Sequence, residues 1–153
     1  MSRAPLCRRW SRLVVACDVE TLFAIVADVE RYPEFVPGCL SARILERQPG
    51  RWIVDNIFGF GPLRSQFRST AEPDSPHSLT IHSHDGPWRE FLIRWRFRAE
   101  SDGCLLSCEA TLDFRSPLLA GVASLVAAEV ERRVIAAFQS RALRLAKGGS
   151  YDG

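Results

Sequence analysis

Lysine is almost missing from this chain: Lys147 is the only one, and every other long cationic side chain is an arginine. The formal net charge of the 153 residues is +2, so bulk charge predicts no polyanionic partner and no DNA. Histidine is scarce as well. His82 and His84 lie two apart and can share a strand face, but a metal site wants three or four ligands and no further cluster accompanies them, so no metal is expected. No uncharged apolar run reaches the ~18 residues of a spanning helix. No cleavable leader is visible, and the expectation is a cytoplasmic protein, at most peripheral at the inner membrane.

A disulfide framework is missing too. Cys7, Cys17, Cys39, Cys104 and Cys108 are odd in number and irregularly spaced. Cys104 and Cys108, if on one strand, stand about 13 Å apart at ~3.3 Å per residue, too far to bridge each other. A reducing compartment fits this usage. Cys39 has nothing near it in sequence to activate a thiolate and reads as structural. Without repeats or low-complexity tracts, the chain reads as one domain over 11–147, between a short basic segment 1–10 and a flexible tail 148–153.

What the chain does have is a long final helix, Pro117 to Lys147, about 45 Å at ~1.5 Å per residue. Ser116 can cap it, Pro117 suits its first position, and Gly148-Gly149 stop it. Leu119, Val122, Val126, Val130, Val134, Phe138, Ala142 and Leu145 form one apolar stripe. That stripe is expected to be buried, with Glu131, Arg132, Gln139, Arg141 and Arg144 largely elsewhere. Leu118 to Ala128 carries no charge at all. Such a segment is either enclosed by protein or set beside something greasy, a ligand mouth or a membrane surface.

Ahead of this helix, Ser11 to Ala16 reads as a strand, and Asp18 caps a helix carrying Leu22, Phe23, Ile25 and Val26 that ends near Asp28. Pro33 opens a second short helix, stopped by Pro37-Gly38. The period then changes to two. Ser41 to Arg47, Trp52 to Phe60, Leu63 to Ala71, Leu79 to His84, Glu90 to Arg98 and Leu105 to Phe114 read as strands joined by short Gly- and Pro-rich turns, an antiparallel meander. The class is α+β, with a sheet that must bend around the last helix.

Alternation assigns the faces. Trp52, Val54, Phe58 and Phe60 share the inner side with Asn56; Leu63 and Phe67 with Ser65 and Ser69; Leu79 and Ile81 with Ser83. Phe91, Ile93, Trp95 and Phe97 form the next row, and Leu106, Ala110, Leu112 and Phe114 the last. This aromatic face supports two readings, a fully packed core or an apolar small-molecule cavity. The outer face collects Arg64, Arg68, Arg94, Arg96 and Arg98 with His82 and His84, opposed by Glu109 and Asp113. It reads either as a solvated surface with cross-strand ion pairs or as a stripe for RNA phosphates or anionic lipid.

Three motifs in order carry a family resemblance. The elbow Val26-Ala-Asp-Val-Glu-Arg-Tyr-Pro-Glu-Phe-Val-Pro-Gly-Cys39, the turn Asp85-Gly-Pro-Trp88 leading to Trp95-Arg-Phe97, and Ala137-Phe-Gln-Ser-Arg-Ala142 resemble the coenzyme Q-binding, START-like family of the polyketide cyclase superfamily. Bacterial members of that group are also described as ribosome-association toxins. The resemblance runs from about Ser11 to Ala146. It implies a helix-grip fold: a curved antiparallel sheet wrapped round the long C-terminal helix, two short helices near the N-terminus, and a tunnel for a hydrophobic ligand. It also implies ubiquinone or a similar polyprenyl quinone as that ligand, bound or delivered for respiration and quinone synthesis. The chain departs from the family in one turn, where Gly59-Phe-Gly-Pro-Leu63 stands in place of a lysine-bearing Gly-Phe-Lys-Gly-Leu-like sequence.

Placed on that fold, the expected ligand lining is Phe35, Trp52, Val54, Asn56, Phe58, Phe60, Ser65, Phe67, Ile81, Phe91, Trp95, Phe97, Leu112, Phe114, Leu119, Val122 and Val126. Asn56 and Ser65 are candidates to orient a quinone head group through N–H and O–H, with Asn56 bonded to neighbouring backbone as the alternative. The inward rows offer Asn56, Ser65, Ser69, Ser83 and Cys108 but no carboxylate, histidine or arginine, so general acid or base catalysis has no evident agent. The expected function is non-catalytic quinone binding. A ribosome-binding regulator acting through the arginine face, and a cyclase- or aromatase-like enzyme, are the alternatives.

Overall fold

The computed structural model describes residues 4–60 and 63–147, without the side chains of Phe60, Ala146 and Lys147. Strand β1 (Leu6–Val15) leads into helix α1 (Val19–Ala27) and a 3-10 helix (Val29–Glu34). Six strands follow, β2 (Cys39–Gln48), β3 (Arg51–Phe60), β4 (Leu63–Asp74), β5 (Ser78–Ser83), β6 (Trp88–Glu100) and β7 (Gly103–Phe114), and helix α2 (Pro117–Lys147) closes the chain. The strands form one antiparallel sheet in the order β1-β7-β6-β5-β4-β3-β2. This is the α+β arrangement that the residue pattern predicts and the helix grip that the resemblance implies. The expected stops Gly148-Gly149, the Gly61-Pro62 turn and the tail lie outside the described residues.

The local signals act as expected at both helix starts. Asp18 Oδ1 accepts the Thr21 N–H at 2.7 Å, and Ser116 Oγ accepts the Leu119 N–H at 3.3 Å. Strand β1 is longer than predicted: it begins at Leu6, inside the segment read as lying outside the domain, and pairs with β7 from Leu6↔Leu112 onward. Its extension puts Arg8 on the inner face opposite Ala110. There Arg8 grips Glu131 of α2 two-handed, Nη2 to Oε2 at 2.8 Å and Nε to Oε1 at 3.3 Å.

The faces follow the predicted alternation. Register places Val54, Ser69, Leu79, Trp95 and Cys108 inside through the pairs Val54↔Ser69, Leu79↔Trp95 and Trp95↔Cys108, and all five are buried. Register breaks between Ile44 and Glu46 and between Trp88 and Glu90 add residues on one side of a pair and bend the sheet. The core lies where α1 and the second half of α2 meet the sheet, around Leu22, Ile25, Val26, Leu79, Leu106 and Phe138. Helix α2 touches α1, β1 and β7.

The apolar stripe of α2 is buried over only part of its length, which corrects the expectation of continuous burial. Phe138 is 1% exposed and Ala142 is buried, whereas Val122 and Val126 are 39% and 40% exposed; Leu125, outside the stripe, reaches 87%. The described residues of this chain therefore do not enclose Leu118 to Ala128. Arg141, expected on the polar side, is buried instead. Its guanidinium lies 5.1 Å from the Phe35 ring centre and 3.3 Å from Glu34 Oε1, so the charge has a partner at the rim of the core.

Candidate functional site

The inner face of the sheet divides in two. At one end the rings close-pack: Phe138 meets Phe35 at 5.1 Å, Trp95 at 5.1 Å and Tyr32 at 5.6 Å, and Trp10 meets Trp95 at 5.7 Å. The Tyr32 hydroxyl donates to the Val26 carbonyl oxygen, which locks the elbow onto α1. Phe35, Trp95, Phe97 and Val54, all predicted to line a ligand tunnel, belong to this packed end or its surroundings. These side chains pack against one another and against the core.

At the other end the rings form a half-covered wall in which Phe67 and Trp88 are buried. Phe58 stacks on Phe67 at 5.8 Å, and Trp88 contacts Phe67, Phe91 and Phe114 at 5.6, 4.8 and 4.5 Å. Phe58, Phe91, Phe114, Ile81, Ser65, Leu112 and Leu119 are each half-buried. Leu112 and Phe114, with Leu6, Pro117, Ala120 and Ser124 and the charged Arg89, Asp113 and Arg115, line a depression of ≈ 190 Å³ between β1, β7 and the start of α2. Ligand sites usually enclose ~300–1,000 Å³. As it stands this space accommodates a ring or small head group, not a whole polyprenyl chain.

Trp88 is the residue that sequence reasoning missed. Counting back from Phe91 by twos places residue 89 inside and Trp88 outside. The register break before Glu90 reverses that parity, so Trp88 faces inward opposite Phe114. The turn ahead of it is firmly built. Asp85 Oδ2 accepts the Arg68 N–H at 2.8 Å, the Trp88 N–H bonds Asp85 O at 3.3 Å, and the Arg115 N–H bonds Pro87 O at 2.9 Å. Gly86 sits at φ +62°, and a Cβ there would lie 2.8 Å from the Gln66 carbonyl oxygen, so only glycine fits. The Trp88 Nε1 is the one buried side-chain nitrogen or oxygen among the described residues without a hydrogen-bond partner.

The other predicted polar lining is differently disposed. The Asn56 amide nitrogen bonds the carbonyl oxygens of Val54 and Phe67 at 3.2 Å each and Ser69 Oγ at 3.0 Å, so its N–H groups are spent within the protein. Trp52 lies under Arg47, whose guanidinium carbon is 4.6 Å from a ring centre. The Phe60 side chain lies outside the described residues. Burial raises the thiols of Cys17 and Cys39 to about 11 and that of Cys108 to about 12, which leaves these sulfurs protonated and poorly nucleophilic at neutral pH.

On the outer face, Arg94, Arg96 and Arg98 of β6 line a second depression of ≈ 550 Å³ together with Arg9, His77, Ser78 and Ser107. Arg98 pairs with Glu100 at 2.8 Å and Arg9 with Glu109 at 3.7 Å. Arg94 and Arg96 have no ion pair among the described residues. Arg64 and Arg68 stand apart on β4, outside this group. The two neighbouring histidines do not act together: His82 Nε2 is 3.0 Å from Glu72, and His84 Nδ1 is 2.7 Å from the Arg89 carbonyl oxygen. Among the described residues no group of three metal-binding side chains occurs, and no helix is long and apolar enough to cross a membrane.

A sheet gripping a half-covered helix, with an aromatic wall beside it, is the START-like helix-grip fold. The model of the family of polyketide cyclases, dehydrases and lipid transport proteins matches residues 15–139, and the chain belongs to that family. Among curated relatives, the ribosome association toxin RatA of Escherichia coli is 27% identical over 130 residues, covering 84% of this chain and 82% of that one. The mitochondrial coenzyme Q-binding protein COQ10 homolog B of Xenopus laevis is 28% identical over 137 residues, covering 86% of this chain and 56% of that one. A START superfamily protein from Mycobacterium smegmatis superposes with a TM-score of 0.74 at 19% identity, covering 94% and 99% of the two chains.

Proposed function

We propose that the protein binds and chaperones ubiquinone or a similar polyprenyl quinone without catalysing a reaction on it. The observation that carries this reading is the half-buried aromatic wall beside the uncharged, uncovered first half of α2. An apolar surface of this kind calls for an occupant. The ≈ 190 Å³ depression takes the ring, and the isoprenoid tail runs out along Val122 and Leu125. The same exposed residues bring the protein to a membrane surface, where its ligand resides. A cyclase-like reaction is disfavoured by the high thiol pKa values and by the pairing of the inner-face Arg8 with Glu131.

The test is organic extraction of the purified protein followed by mass spectrometry. Quinone at near-stoichiometric amount is the expected result. A protein that is empty and also fails to take up added quinone overturns the reading.

A second reading has its own observation, the outer depression with Arg94 and Arg96, which have no ion pair among the described residues. Guanidinium groups grasp phosphate two-handed, and the relative from Escherichia coli is named for ribosome association. In this reading the outer face meets ribosomal RNA. It and ligand binding use opposite faces of one sheet and can coexist.

A further inference from the structure

A buried N–H without an acceptor is a cost to the folded protein, and native chains rarely leave one standing. Trp88 is 8% exposed, and its indole nitrogen has no partner among the described residues, while the turn that carries it is held by three hydrogen bonds and an obligatory glycine. Its ring sits among Phe67, Phe91 and Phe114, none of which offers an oxygen, and Phe114 also lines the ≈ 190 Å³ depression. The Asn56 amide nitrogen is already spent. We propose that Trp88 Nε1–H is reserved for the bound ligand and donates to a carbonyl or ether oxygen on its ring, selecting oxygen-bearing ring compounds over plain hydrocarbons in the aromatic basket.

This rests on the ligand-binding reading above and deepens it by fixing the chemistry of the occupant. The stacked and tilted rings recognise a flat apolar body, whereas the single donor sets its orientation. Trp88 is in ring contact with Phe114, which lines the depression, so the donor stands one ring away from that space.

The experiment compares two probes on the full chain, a short-tailed ubiquinone and an alkylbenzene carrying the same tail but no oxygen. Trp88→Phe keeps an aromatic ring and deletes only the donor-bearing part. The expected result is an affinity loss of about five- to ten-fold for the quinone, the worth of one neutral hydrogen bond, with the alkylbenzene unchanged. Thermal unfolding of the ligand-free variant should fall by a few degrees through the lost ring packing, and the two-probe comparison separates any packing effect on binding, common to both probes, from the loss of the donor. In wild type, the indole N–H resonance that Trp88→Phe removes should move downfield with quinone and stay with alkylbenzene. Equal losses for both probes, or an unmoved resonance with quinone bound, overturn the donor role while leaving ligand binding intact. A wild-type protein that binds neither probe overturns both readings.

Discussion

From Pro117 to Ala128 helix α2 has no charged residue, yet Leu118 is 76% and Leu125 87% exposed. From Glu129 onward charges are frequent, and it is this half that is buried, through Phe138 and Ala142 and through Arg141 lying over Phe35. Composition alone ranks the halves the other way. An apolar segment demands cover, but the cover need not come from the same chain. Here α1, the 3-10 helix and Trp95 supply it to the second half, and Arg8 clamps Glu131 near the boundary. Stability belongs to the clamped half, and the bare one is the half proposed for recognition.

The sharpest way to break that comparison is to truncate one large residue in each half. Phe138→Ala removes a ring packed against Tyr32, Phe35 and Trp95, and should cost about 3–5 kcal/mol in urea unfolding. Leu125→Ala should stay within about 0.5 kcal/mol of wild type. Comparable losses at both sites would mean that the first half is packed after all.

Leu125→Glu tests what the bare half is for. It should leave unfolding unchanged yet weaken binding to vesicles by about ten-fold or more, since a leucine in an apolar phase is worth ~1.5–3 kcal/mol. Undiminished vesicle binding would remove the membrane from the proposal. On the opposite face of the sheet, Arg94→Glu with Arg96→Glu should spare both stability and quinone uptake. If ribosomal RNA binds there, each lost phosphate contact should flatten the salt dependence of log affinity by about 0.7–0.9. An unaltered slope would direct the search for an RNA surface elsewhere.

Much of the fold was legible because short turns preserve strand parity. Once Trp52, Val54 and Asn56 were placed inside, the rows through Phe67, Ile81 and Ile93 followed and match the observed register. Parity fails where a residue is added, so the break before Glu90 hid Trp88, although the Asp85-Gly-Pro-Trp88 turn stood out as a motif. Strand β1 escaped for another reason. Arg8 and Arg9 look like a solvated tail until Glu131, more than a hundred residues away, provides the partner that lets Arg8 face inward. For α2, periodicity reported which residues share a side and was silent about what stands opposite. The burial of Arg141 and the exposure of Val126 depend on that opposing surface.

The clamped half rests on α1, and α1 in turn begins at Asp18, so a small change at its cap should be felt through the contact. Hydrogen bonds from Thr21, the hydroxyl first and the backbone N–H second, hold the Asp18 carboxyl below its ordinary value of 3.8. A depressed folded pKa means that the unfolded chain takes up the proton more readily. The stabilisation is therefore complete above that ordinary value and is lost as pH falls through the folded one. Asp18→Ala should cost about 1 kcal/mol at neutral pH, the usual worth of an N-cap. Asp18→Asn keeps an acceptor but cannot titrate, so the stability difference between it and wild type should shrink as the pH of a melting series drops from 7 to 3. A difference that stays constant across that range would show that the cap works through its oxygen alone, with no share from its charge at the helix N-terminus.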